Sequence, residues 1–330
     1  MPYIHDVCNE FGGDLTLAGI DRRGFLRIGI TAAGAAMAPR WMLSQAPALD
    51  RVGQMRASGA ATPVKATKLY DNVYLLQGAG GNMAVQTGPD GKVLIDSSFS
   101  TAVPHIVEAL NALGSDPAHL LINTHWHIDH TDGNEGLHAA GFTVLAHRAT
   151  RERLAVPETI KQLGMSLPAA PAGALPSITF DDTMHIWQNG DSLSLAHYDP
   201  AHTDTDIFIH FEKANVLHVG DIWFNGFYPF IDEGTGGNIG GMIRANEKAL
   251  ALAGADTKII PGHGPLGTKA QLQQFRDMLS GVRDRVQVLK SAGASEQEAI
   301  ARKPTADFDA VWNKGSFTPD MFARVVYRTL

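Results

Sequence analysis

The sequence predicts an α/β layered domain, and three observations carry that prediction. From about residue 66 short β-rich runs alternate with stretches of helical spacing. No linker separates two halves, so residues 49–330 read as one domain. A dense histidine cluster follows directly on a buried strand, which places chemistry at a strand end. The composition agrees: 330 residues, 44% hydrophobic and 18% charged, describe a globular chain with material for a core and exclude a disordered one. With 27 Lys and Arg against 34 Asp and Glu, a net charge of -7 and no basic run, nucleic acid is excluded as a partner. A single cysteine, Cys8, rules out a disulfide framework and any cysteine-based zinc cluster, whereas fourteen histidines leave imidazole as the abundant metal ligand.

The first segment in order is Asp21-Arg22-Arg23-Gly24-Phe25-Leu26-Arg27, followed by a weakly apolar run from Ile28 to Ala38. That run is too short to span a bilayer, which needs ~20 apolar residues, so no stable membrane span is expected in the mature chain. Gly24, Gly29 and Gly34, with no polar face between them, argue against an amphipathic helix. The segment resembles a twin-arginine export signal, with Asp21 where Ser or Thr is usual and Arg27 where Lys is usual. Residues 1–48 are therefore expected to be a signal peptide cleaved near Ala46-Pro47-Ala48, with the twin-arginine machinery as partner and the periplasm as destination. That route carries folded cargo, which suits a protein that acquires metal before export.

Strands are expected at Val73–Leu76, Met83–Val85 and Val93–Ile95, the last two joined by the turn Gly88-Pro89-Asp90-Gly91. Val103, Ile106, Val107, Leu110 and Leu113 follow helical spacing and stop at Gly114. Further strands are expected at Leu120–Asn123, Thr143–Leu145, Met184–Trp187, Ser192–Leu195, Ile207–Phe211 and Val216–Val219, with Asn189-Gly190 as a hairpin turn. Helices are expected over 241–253 and 268–291, flanking a strand at Lys258–Ile260, with a helical segment from about 281 to the C-terminus. Residues 153–177, rich in Pro and Ala, and 225–241, rich in Gly, fit neither pattern and are long enough for functional loops.

The chemistry concentrates in His125-Trp126-His127-Ile128-Asp129-His130, three imidazoles and a carboxylate within six residues. At extended spacing His125 and His127 point the same way and can share one metal, while Asp129 and His130 on the following turn can serve another. His202, Asp221 and His263 each follow an apolar run, so each belongs at a strand end. Taken singly, such a residue reads equally well as a capping carboxylate or a hydrogen-bonded turn histidine.

The H-x-H-x-D-H run, then His, Asp and His in this order, resembles the metallo-β-lactamase superfamily over residues 66–268. The resemblance implies a four-layer αββα sandwich with metals at one edge of its sheets. It implies that His125, His127 and His202 hold one zinc, that Asp129, His130 and His263 hold another, and that Asp221 bridges them. Iron or manganese are the other metals such ligands accept. A binuclear hydrolase follows, in which a hydroxide bridging the metals attacks an ester, lactone, thioester or amide, β-lactams included, with Asp129 as the candidate catalytic carboxylate. The rival is a diiron redox or accessory protein on the same fold. Asp221, where several zinc β-lactamases carry cysteine, and Phe224, where many carry lysine, weaken the β-lactamase assignment.

Trp126, Trp223, Phe224, Phe227, Tyr228 and Phe230 are candidates for an apolar wall beside the metals, with core packing favoured for Trp223. Met165 and Leu167 are candidates for a lid. Asp96 lies where a carboxylate can orient a ligand histidine, and Asp204 and Asp206 read equally as such supports or as surface residues. His147 and His218 read as satisfied structural histidines, and Gly78-Ala79-Gly80-Gly81 as a tight turn.

Overall fold

The computed structural model describes residues 50–198 and 200–330; the export signal expected in residues 1–48 lies outside them. Strands β1 (Lys65–Tyr70), β2 (Val73–Gln77), β3 (Met83–Gln86), β4 (Lys92–Ile95), β5 (Ala118–Ile122), β6 (Thr143–His147) and β9 (Ile178–Phe180) form a seven-stranded sheet in that order. Between β6 and β9 the chain makes a separate hairpin, β7 (Glu158–Ile160) and β8 (Met165–Leu167). The second sheet has five strands in chain order: β10 (Thr183–Gln188), β11 (Asp191–His197), β12 (Ile207–Phe211), β13 (Val216–His218) and β14 (Lys258–Ile260).

Side chains alternate across each strand, so a strand buried on both faces must be apolar throughout. Val93 and Ile95 of β4, with Leu120 and Ile122 of β5, meet Ile207, Ile209 and Phe211 of β12 in the layer between the sheets. Leu94 and Leu121 point the other way, onto α2 (Val103–Ala112) and α4 (Asn134–Ala139). Phe208 and Leu217 point outward from the second sheet onto α6 (Ile239–Leu252), α7 (Lys269–Ser291) and α10 (Pro319–Thr329). Helix, sheet, sheet and helix thus stack in four layers, as the resemblance implied. Each fully buried Leu, Ile or Phe contributes about 1.5–3 kcal/mol to that stack.

The Asn189-Gly190 turn joins β10 to β11 with φ of 51° and 75°, a type I′ turn that matches the twist of the strands. Helix α7 opens with a reciprocal cap between Thr268 and Gln271, and it runs through residue 281 without a break, so the helical C-terminal part begins at 269. Helices α8 (Glu296–Ala301) and α9 (Asp309–Trp312) lead to α10.

Several elements were not foreseen. Helix α1 (Arg51–Ala61) buries only Gly59, so no apolar stripe marked it. The hairpin β7–β8 interrupts the Pro/Ala-rich stretch with two three-residue strands, and β9 is an equally short edge strand. Two further helices, α3 (Ile128–Thr131) and α5 (Arg148–Leu154), are single short runs after strands. Among the described residues no helix is long and apolar enough to cross a membrane.

Candidate metal centre

Strands β4 and β5 are parallel, and β11, β13 and β14 share one direction because β12 runs antiparallel to both β11 and β13. Their C-terminal ends deliver residues from both sheets to one edge. His125 and His127 follow β5, Asp129 and His130 begin α3, His202 follows β11, Asp221 follows β13 and His263 follows β14. All seven residues expected from the sequence converge there, in groups whose ligand atoms lie within 4.8 Å of one another.

The first group is His125, His127 and His202, all buried. His127 Nδ1 lies 3.1 Å from His125 Nε2 and 2.9 Å from His202 Nε2. The opposite nitrogens are already committed. His202 Nδ1 donates to the Phe230 carbonyl at 2.8 Å, and His127 Nε2 donates to Asp232 Oδ2 at 3.2 Å. His125 Nδ1 donates to Thr124 Oγ1 at 3.0 Å, since that hydroxyl's own proton goes to Asp96. Burial also pushes His202 down to about 4 and His125 well below the ordinary histidine range, so both are neutral. Neutral rings that donate outward turn lone pairs inward. Nitrogens of His125 and His202 standing 3.1 and 2.9 Å from His127 Nδ1 fit the ligand spacing of a four-coordinate zinc with Zn–N of about 2.0–2.1 Å.

The second group is Asp129, His130 and His263. His263 Nε2 lies 3.1 Å from Asp129 Oδ2 and His130 Nε2 lies 3.7 Å from the same oxygen. Asp221 reaches both groups: its Oδ2 is 3.5 Å from His202 Nε2 and 3.4 Å from His263 Nε2, and its Oδ1 is 3.1 Å from His130 Nε2. His130 Nε2 and Asp221 Oδ1 are fully buried without a hydrogen-bond partner, a costly state that a cation between them relieves. Burial works against charge here too, yet the Asp221 and Asp129 carboxylates override it, holding His263 up at about 10 and His130 well above the ordinary range. In turn His130 and His263 keep the Asp129 carboxyl, and His263 and His130 the Asp221 carboxyl, well below the usual carboxylate range despite burial.

The supports are as specific as the ligands. Asp96 accepts from His130 Nδ1 at 2.7 Å and from Thr124 N and Oγ1 at 2.7 and 2.8 Å, and it does so from a left-handed backbone with φ 63°. Such a conformation costs of order 1–3 kcal/mol, offset here by three buried hydrogen bonds. Asp206 accepts from His202 N, Thr203 N and Thr203 Oγ1, fixing the loop that carries His202; burial pushes it up to about 7. Asp204 instead pairs with Arg153. The Gly78–Gly81 run does more than turn, since a Cβ on Gly81 would stand 2.1 Å from His130 Cε1. Asp232 and Thr124 were not foreseen. Asp232 sits in the Gly-rich stretch that showed no periodicity, and only its place just after the apolar pair Phe230-Ile231 hinted at a buried carboxylate. His218 donates to Asn82 O and accepts from Gly220 N, and His147 stacks on His197 with ring centroids 3.8 Å apart; both are structural, as expected.

A cavity of about 350 Å³ opens onto Asp129, Asp221 and His263. Phe224, Phe227, Tyr228 and Phe230 line it, whereas Trp126 and Trp223 are buried and do not. Phe224 stacks on His263, centroids 5.3 Å apart. Met165 faces this cavity, while Leu167 lines a neighbouring one, so the expected lid is only half present. The Tyr228 hydroxyl is tied to Asp309 at 2.7 Å, away from any role as a free acid at the site.

The family profile of the metallo-beta-lactamase superfamily matches residues 72–263, which contain all seven residues. Solved structures are similar in fold at low identity. The metallo-beta-lactamase from Pontibacter korlensis is 17% identical with a TM-score of 0.56, the match covering 66% of this chain and 99% of that one. The DIM-1 metallo-beta-lactamase is 19% identical with a TM-score of 0.53, covering 66% and 97%. A double mutant of the sec-alkyl sulfatase PisA1 is 18% identical with a TM-score of 0.61, covering 87% of this chain but 54% of that longer one.

Proposed function

This chain belongs to the metallo-β-lactamase superfamily, and from that premise we propose that it is a hydrolase holding two divalent cations, zinc first among them, that cleaves an ester, lactone, thioester or amide. The observation that carries the reading is the Asp221 carboxylate reaching His202 in one ligand group and His263 in the other, with His130 Nε2 and Asp221 Oδ1 buried and lacking a hydrogen-bond partner. Cations bound there would supply Lewis-acid activation of water and of the scissile oxygen. His125, His127 and His202 would hold the first, Asp129, His130 and His263 the second, with Asp221 serving both.

The chain's own residues supply the rest. Asp129 is the more exposed of the two ligand carboxylates that line the cavity, so it can accept a proton from attacking water and return it to the departing oxygen, sulfur or nitrogen. Water's oxygen bonds to the acyl carbon as the bond from that carbon to the departing oxygen, sulfur or nitrogen breaks. One proton of the water goes to the departing atom and the other stays with the new carboxyl group, both on one molecule when the substrate is cyclic. Phe224 and Phe230 exclude bulk water from that face and favour a partly apolar small molecule over a nucleotide. No serine or cysteine nucleophile is needed. A β-lactam is the less favoured amide, because Phe224 and His263 stack where a carboxylate-binding lysine would be required.

The test is metal analysis of protein purified without added metal, followed by turnover of nitrocefin, an acyl-homoserine lactone, a thioester and a phosphodiester. Two zincs per chain with cleavage of a carbonyl substrate supports the reading. Iron with visible absorption and no hydrolysis would sink it. Export belongs to the same proposal: Arg22→Lys with Arg23→Lys is expected to retain the protein in the cytoplasm, read by cell fractionation.

A further inference from the structure

The cavity beside the metal centre is walled partly by segments outside the family match, and one of them carries an arginine with an open hydrogen-bonding edge. Arg51 stands in the first turn of α1 and lines the same cavity as Asp221 and His263. Its Nη1 donates to the Leu163 carbonyl at 3.1 Å, which pins the guanidinium to the loop between β7 and β8. Among the described residues no carboxylate lies within 4.0 Å of it, so the edge formed by Nε and Nη2 is unused.

Two other arginines show what that edge takes. Arg56, further along the same helix, holds both oxygens of Asp132 with Nε and Nη2 at 3.0 and 2.7 Å. Arg153 holds Asp204 through the same two atoms at 2.6 and 2.5 Å. The planar fork matches a carboxylate in two parallel hydrogen bonds. Among the described residues Arg51 is the one arginine or lysine on the cavity wall, and away from the ligand residues that wall is largely apolar: Met55 from α1, Ile160 and Met165 from the hairpin, Phe230, and Phe317 from the loop before α10.

We infer that Arg51 anchors the substrate, and that the substrate is a carbonyl compound with an apolar body and a carboxylate remote from its scissile bond. The scissile bond lies at the metal centre, the hydrocarbon body against the methionine and phenylalanine walls, and the carboxylate on the Nε/Nη2 edge of Arg51. This rests on the hydrolase reading above, so the experiment separates the two.

Metal-loaded protein is assayed with two esters of equal chain length, 4-nitrophenyl octanoate and the mono-4-nitrophenyl ester of octanedioic acid. The native protein is expected to prefer the carboxylated ester by at least ~10-fold in kcat/KM, carried by KM. Arg51→Gln collapses that ratio, and Arg51→Lys, which keeps charge but not the fork, keeps only part of it. A ratio unchanged in Arg51→Gln, or a native preference for the neutral ester, overturns the inference. Should neither ester be cleaved, the hydrolase reading fails separately and calorimetry decides the anchoring site. The monoamide of octanedioic acid must then bind native protein ~10-fold more tightly than the diamide, with the difference lost in Arg51→Gln; equal binding of the two overturns it.

Discussion

The two ligand groups differ in charge and in access, although one carboxylate joins them. The first is three buried imidazoles, each steadied by an acceptor behind it: Thr124, Asp232 or the Phe230 carbonyl. The second mixes an aspartate with two histidines, His130 and His263, that the Asp221 and Asp129 carboxylates hold well above the ordinary range, and its Asp129 and His263 are part exposed at the cavity. A cation entering the first group would meet rings already held in place, with His125 and His202 neutral; one entering the second would have to displace protons. The contrast assigns the first group the tighter grip and the second the closer contact with substrate.

Predictions can break or sharpen this contrast, and they fall from large to small. His127→Ala is expected to empty the first group and lower turnover by about 10³-fold or more; retention of both metals at native activity would show that the first group does not anchor the centre. Asp221→Asn removes the shared charge, and metal content is expected to drop from two per chain toward one, the survivor sitting in the first group. Retention of two metals would contradict the bridging assignment. Asp232→Ala and Asp96→Ala then test the supports: each is expected to weaken metal affinity about 10–100-fold, the former at the first site and the latter mainly at the second, as read by competition with a chromophoric chelator. An equal effect of both variants on both sites would erase the distinction.

The smallest effect concerns a histidine pair with no metal role. Burial, then His197, lowers the pKa of His147. A depressed histidine pKa favours the neutral form in the folded state, so this contribution is present above the unfolded value of about 6.5 and fades as pH falls through it. Native protein is expected to lose on the order of 0.5 kcal/mol more stability between pH 7.5 and 5.5 than His147→Asn, read from urea midpoints. An identical loss in both would remove His147 from the account.

What was legible in the sequence followed from periodicity and residue type. Strands such as β4, β5 and β12 showed themselves because both faces are buried, leaving Val93–Ile95, Leu120–Ile122 and Ile207–Phe211 as nearly unbroken apolar runs. The seven site residues were legible because the H-x-H-x-D-H run and the three strand-end residues are types that only a metal draws together in such density. Helix α1 was hidden because it packs through Gly59, whose missing side chain lets the backbone approach Thr101, leaving nothing hydrophobic to see. Asp232 was hidden because a single carboxylate in an aperiodic stretch carries no local signal, and its partner His127 lies 105 residues away. The role inferred for Arg51 depends on which of its edges is occupied, and only geometry shows that.

Each group draws on both halves of the sandwich, with His125 and His127 from the first sheet facing His202 from the second, and Asp129 and His130 facing His263. Cations bound there would act as a clasp closing one rim of the two sheets, in a part of the chain that has no cysteine for the purpose. Stripping them with a chelator should let that rim breathe, so that amides in the loops after β5 and β14 exchange with deuterium sooner while those at the opposite rim keep their pace.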